Sequence, residues 1–237
     1  MKHAQPRDFS TRRVGQLLSQ IKPDRGADAR MDVFSRHFLG RPYKPNPLIG
    51  SADTAEVFTA SLDGFDCVTY IETVLALARA SNVDGFTQWL RKIRYEDGRV
   101  QWLRRNHYMT LWIRNNLRKG IIKPVSMPAV PTVSRERVLN VVSGLAVRRT
   151  RVKCVPKAAV PRLEPYLQNG DLIFFVSTRK DLDVFHAGII SRDGKKVLLR
   201  HASRSHGAVV EQESIDFLRA NRMAGVIVVR PQGMTRR

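Results

Sequence analysis

The sequence predicts an α+β fold, with helices in the first half and an antiparallel sheet in the second. Three observations carry this. Apolar residues recur at helical spacing in the N-terminal half, as Val68, Ile71, Leu75 and Ala78 do. Short β-branched or apolar runs crowd the last third: GDLIFFVST, FHAGIIS, KKVLLRHA, GAVVEQE and GVIVVRP. Turn signals such as Arg192-Asp193-Gly194 separate several of these runs, and helices followed by hairpin-linked strands is the α+β pattern.

Taken in order, Ser10 or Thr11 is placed to cap a first helix carrying Val14, Leu17, Leu18 and Ile21. FLGRPYKPNPLIG follows, punctuated by Pro and Gly and therefore a loop. A second amphipathic helix opens at Cys67 and stops near Ser81-Asn82, and it is expected to pack on the sheet. Phe86, Trp89, Leu90 and Ile93 predict the next helix, and WLRRNHYMTLWIRNNLRKG one more, closed by Gly120. Lys123 to Pro161 is rich in Pro and Val and carries no clear period; Pro124 to Pro131 reads as a connector without a domain boundary. The expectation is a single domain over 1–237, with an N-terminal helical extension of about residues 1–35.

The chain of 237 residues is long enough for a full core, and 43% hydrophobic residues describe a folded protein. Its balance of 41 Lys and Arg against 21 Asp and Glu leaves +20, a field that attracts anions. That charge is spread along the chain with no nucleic-acid motif, which disfavours nucleic acid as the partner. The two cysteines, Cys67 and Cys154, show neither a disulfide framework nor metal-ligand spacing. There is no phosphate-binding glycine loop, and no cofactor is expected. The first 22 residues lack the apolar stretch of a secretory signal and no run is long enough for a membrane span, so the chain as written is expected to be cytoplasmic, with export by another route left open.

The chemistry centres on GFDCVTYIETVLALA. A nucleophilic thiol needs its pKa lowered, and a helix N-terminus and a neighbouring imidazole are the usual means. Cys67 stands at the helix start, a position that by itself favours a buried structural cysteine over a nucleophile. A histidine on a rigid strand would complete the pair. In DVFHAGIIS, alternation sets Phe185, Ala187 and Ile189 on one face and His186, Gly188 and Ile190 on the other, with open space beside His186 over Gly188. His201, in the next strand, can stack beside His186 and orient its second ring nitrogen. Asp66 reads first as a helix cap, and His206 and Cys154 as bystanders.

The ordered motifs FLGRPY, GFDCVTYIE, NGDLIFFVS, HAGIIS and RHAS resemble the NlpC/P60 superfamily of cysteine hydrolases. Within it, RYEDGRVQWLRRNHYMTLWI and DVFHAGII are similar to the DUF1460, N-acetylmuramoyl-L-alanine amidase-like branch, over about Arg36 to Pro231. The resemblance implies a papain-like fold with Cys67 as nucleophile, His186 as base and His201 as the orienting residue. It implies Tyr43 and Asp66 beside the oxyanion or the substrate, and Arg105, His107 and Tyr108 along the cleft. Leu111 stands where the branch carries an acidic residue before the tryptophan, which weakens the transfer of substrate contacts. Tyr108 and Trp112 also fit a core pair at i, i+4.

Two functions follow. One is hydrolysis of amide bonds in cell-wall, peptidoglycan-type peptides through an acyl-enzyme. The other is acyl transfer from a thioester or an acidic carrier protein to an amine, which the basic charge would favour. A third reading is a binding module without catalysis.

Overall fold

The computed structural model describes residues 9–233. Residues 1–8 of the N-terminal stretch lie outside them. Among the described residues six α-helices and eight strands run mostly helices first and strands after; α2, α6 and the first three strands were not anticipated. The helices are α1 (Thr11–Leu18), α2 (Ala27–His37), α3 (Cys67–Arg79), α4 (Val83–Arg94), α5 (Met109–Arg118) and α6 (Ser214–Ala220). The strands are β1 (Ile122–Pro124), β2 (Val133–Leu139), β3 (Arg148–Pro156), β4 (Leu172–Val176), β5 (Val184–Asp193), β6 (Lys196–Ser203), β7 (Ala208–Glu213) and β8 (Gly225–Pro231). They form one antiparallel sheet in the order β2-β3-β8-β4-β5-β6-β7, with β1 also on β8.

Helices α1 to α5 share one core with one face of the sheet: Val14, Phe34, Val74, Leu90 and Trp112 meet Leu172, Phe174, Ala187 and Ile189. On the other face α6 and the 3₁₀ turn Lys157–Tyr166 cover Ile173, Phe175, Ile190 and Val228. Strand β4 is therefore buried on both faces, which is why LIFFV reads as an unbroken apolar run.

Helix α3 is held at both ends. Asp66 accepts the N–H of Thr69 at 2.7 Å while Thr69 Oγ1 accepts the N–H of Asp66 at 3.0 Å, a reciprocal cap. At the far end the buried Arg30 guanidinium donates to the carbonyls of Leu77 (2.9 Å), Ala78 (2.8 Å) and Ala80. In the middle, Glu72 takes Arg94 Nε at 2.7 Å and Trp112 Nε1 at 3.1 Å, joining α3 to α4 and α5. The pair is nearly free of water, so removal of either partner strands a charge.

Several expectations are revised. The Trp102–Gly120 stretch is not one helix. It opens as a 3₁₀ turn (Trp102–Arg104) and continues extended to Tyr108, because Arg104 and Asn106 bond back to Glu96 and Arg94; only then does α5 begin. The Lys123–Pro161 region holds β1 to β3. Strand β2 runs from exposed Ser134, Arg135 and Glu136 to buried Arg137 and Leu139, so no apolar alternation marks it. Helix α1 ends before Ile21.

Candidate active site

Pairing decides where the thiol can sit. Strands β5 and β6 are joined from Asp193↔Lys196 to Ile189↔Arg200, and there the ladder stops. Strand β6 continues on β7 as far as Ser203↔Ala208, so the two strands part beyond Ile189 and Arg200. On β5, Ile190 bonds toward Asp171 and Gly170, which turns the alternate N–H of Ala187 toward the β6 side, into the opening. The Ala187 amide lies beside the thiol of Cys67, the first residue of α3, and favours its anion.

The helix start acts on the thiol in the expected direction, through the N–H groups of Cys67 and Val68, and is outweighed. Burial, then the Asp66 carboxylate, push the thiol up to about 12. The resting group is a neutral thiol, contrary to the lowered pKa expected of it.

His186 lies on the residue before Ala187. Its Nε2 meets Nδ1 of His201 at 2.7 Å, and its Nδ1 has no hydrogen-bond partner among the described residues. Opposite Phe175 and Val176 of β4, strand β5 bulges by one extra residue, Phe185, which breaks the alternation assumed for it. Phe185 joins His186 on one face, their ring centroids 6.5 Å apart, instead of facing the other way with Ala187. Phe217 from α6 stacks on His186 at 5.2 Å and meets His201 edge-on at 5.2 Å. This aromatic enclosure lowers His186 to about 3, the charge of His201 adding to it. His201 falls to about 4, mainly by burial; Gln212 opposes the shift without closing a well-formed hydrogen bond on Nε2.

There is no open space over Gly188. A methyl group there would come within 2.6 Å of Leu199 Cδ1, 2.9 Å of the Arg200 carbonyl and 3.2 Å of His201 Cβ. The missing side chain lets His201 lie close enough to reach His186.

Tyr43 is tied in from two sides. Its N–H donates to Gly207 at 2.8 Å, and it bridges Phe65, two residues before the thiol. Burial, then Cys67 and Asp66, raise its hydroxyl pKa, so it remains a donor. Asp66 is spent on the cap.

Arg105, His107 and Tyr108 gather at a different cleft, of about 210 Å³, whose lining does not include Cys67 or His186. Arg105 pairs with the buried Glu56 at 3.1 Å. His107 donates from Nε2 to the Trp102 carbonyl at 2.7 Å, and burial lowers it to about 4. Tyr108 is buried and accepts the N–H of Val142 at 3.3 Å. The cleft is coupled to the histidine strand by Asp183, which caps α5 through Thr110 (N and Oγ1, both 2.7 Å) and takes the N–H of Val184.

Phe217 and Asp183 were not anticipated. Phe217 follows Ser214 at a helical start and could have been found from SIDFLRA; Asp183 acts only across the fold and leaves no local signal.

Among curated proteins none matches the chain. Solved structures do. A Legionella pneumophila protein of the DUF1460 family superposes with a TM-score of 0.82 at 20% identity, covering 94% of each chain. An N-acetylmuramoyl-L-alanine amidase from Bacteroides uniformis superposes with a TM-score of 0.77 at 26% identity, covering 87% of this chain and 99% of that one. Residues 33–226, most of the chain and all of the elements that carry Cys67, His186 and His201, match the family described as AmiA-like, N-acetylmuramoyl-L-alanine amidase-like, and the protein belongs to that family.

Proposed function

We propose that the protein is a cysteine amidase of the papain-like, NlpC/P60 type that cleaves an amide bond in a peptidoglycan-type peptide through an acyl-enzyme. The observation that carries this is Cys67 at the capped start of α3, beside the amide of Ala187, the residue that follows His186 on β5. Membership of an amidase-like family supports hydrolysis over acyl transfer to an amine.

The steps follow from the hydrogen bonds. With Nε2–H donated to His201, His186 keeps its free lone pair on Nδ1. Because thiol and imidazole are both neutral at rest, the proton moves from Sγ to Nδ1 as sulfur attacks the carbonyl, and no ion pair precedes substrate. The N–H of Cys67 and the Tyr43 hydroxyl are the donors nearest the developing oxyanion. The imidazolium returns its proton to the leaving amine. Water, deprotonated by the same Nδ1, then releases the acid from the thioester.

Intact-protein mass spectrometry during turnover of an N-acyl-alanyl peptide tests the reading. An adduct of the acyl fragment on Cys67 is the expected result. Undiminished cleavage by Cys67→Ser would end it.

A further inference from the structure

The β2–β3 hairpin stands apart from the rest of the sheet. Strand β3 meets β8 only at Val155 and Pro156, so residues 148–154 pair with β2 alone. One face of this arm is packed. Leu139 and Val152 are buried, the buried Arg137 guanidinium donates to the Ser177 carbonyl, and the Tyr108 hydroxyl accepts the N–H of Val142 at 3.3 Å. The other face is solvated and cationic. Arg149, Arg151 and Lys153 alternate along β3 as its exposed residues, about 7 Å apart, and across the ladder they meet Val138, Glu136 and Ser134. Glu136 pairs with Arg151 at 3.4 Å, while Arg149 and Lys153 form no ion pair or hydrogen bond among the described residues. Lys180, whose carbonyl accepts the Val138 N–H at 2.8 Å, adds a further exposed cation at the edge of β2.

The tip of the arm is apolar, where a hairpin loop is ordinarily polar. Loop 140–147 carries Val141 and Val147, 42% and 65% exposed. Leu103, 70% exposed, joins them because its 3₁₀ turn packs on the loop. A methyl group on Gly144 would lie 3.2 Å from the Trp102 ring, and Leu103 shares a cleft wall with Leu145 and Ala146. These are the three large apolar side chains that are exposed among the described residues, and all three stand around this loop. Charge alone would keep an unpaired edge strand from joining another sheet. Apolar side chains held in water at the tip do nothing toward that end, and they mark a surface that meets an apolar medium.

We infer that this arm docks the protein on an anionic phospholipid surface, its tip entering the boundary between headgroups and acyl chains while Arg149, Arg151 and Lys153 pair with lipid phosphates. The inference concerns where the chain sits and stands whether or not Cys67 is a nucleophile. A bilayer is favoured over a dissolved polyanion because only the bilayer uses both features: phosphate for the stripe, and hydrocarbon for Val141, Val147 and Leu103. Nucleic acid fits less well, since neither β2 nor β3 carries an aromatic side chain on which a base could stack. The tip is already fixed against Tyr108 and the Trp102 turn, so little order has to be gained on docking.

The test is co-sedimentation of the full chain with vesicles of phosphatidylcholine alone and of an equimolar mixture with phosphatidylglycerol. Binding is expected only to the mixture, and it should weaken as salt rises. Arg149→Gln with Lys153→Gln should lower the partition coefficient by about 25-fold, roughly fivefold for each cation. Val141→Ser with Val147→Ser should lower it by about tenfold and leave the salt dependence unchanged. Removing the same charge elsewhere, by Arg12→Gln with Lys22→Gln, should change it by about twofold or less. No binding to the mixed vesicles would overturn the inference. Equal sensitivity to the Arg12 and Lys22 changes and to those in the arm would also overturn it, because the +20 field alone would then be at work. Valine changes without effect on vesicle binding would overturn it as well. Binding of a DNA duplex that is lost with Arg149 and Lys153 would in that case make the stripe a site for dissolved polyanions.

Discussion

The two ends of the β5–β6 pair are built from the same two strands and behave as different materials. From Ile189 to Asp193 the ladder is closed, and Ile190 and Leu199 are core. From His186 to Gly188 it is open, the Ala187 amide lies beside the thiol, and the side chains facing one another are imidazoles. A sheet normally spends every backbone donor on its neighbour. Here one donor released by splaying lies beside the thiol, so a local failure of pairing shapes the candidate site.

The sharpest way to break this comparison is at the open end. Cys67→Ser should lower kcat by about 10⁴-fold or more while the thermal midpoint hardly moves. A midpoint that collapsed with activity would mean that sulfur serves packing. His186→Gln should cost about 10²–10⁴-fold in kcat, the range for loss of a general base, read from steady-state kinetics on the same peptide.

Gly188→Ala sets the two ends against each other. The added methyl meets Leu199 from the closed end and His201 from the open end. We expect a loss of about 1–3 kcal/mol in denaturant unfolding together with a fall in kcat as His201 is displaced. Ile190→Val, at the closed end, should cost about 0.5–1.5 kcal/mol and leave kcat alone. Equal kinetic damage from both would erase the distinction.

The smallest effects are those of pH. With His186 near 3 and His201 near 4, the neutral base survives acidification, so the acid limb of kcat/KM should lie well below the ordinary histidine value of 6.5. The sign for stability follows. These depressed histidines favour the folded state above about 6.5, and that contribution drains away as pH falls toward 4 and 3. Phe217→Ala, by admitting water to both rings, should move the acid limb upward toward 6.5. An unmoved limb would show that Phe217 does not set the base.

Much of the frame was legible because its residues answer to local rules. Cys67 opens α3 behind a capping aspartate, and five C-terminal runs become β4 to β8. What escaped depends on distant pieces. The bulge that turns Phe185 to the side of His186 shows only in the pairing of β5 with β4, and the closeness over Gly188 only in the approach of β6. Strands β2 and β3 escaped for another reason: charged and polar residues fill 134–137 and 148–151, where hydrophobic period is silent. The thiol showed the limit of a single-feature rule. Its helix position was right, and burial reversed the expected shift.

Arg30 grips the tail of α3 from α2, as Asp66 and Thr69 grip its head. A rod pinned at both tips can neither screw about its long axis nor slide. Sulfur is thereby a fixed reference point, and under the proposed chemistry any accommodation of differently shaped substrates falls to the surrounding loops.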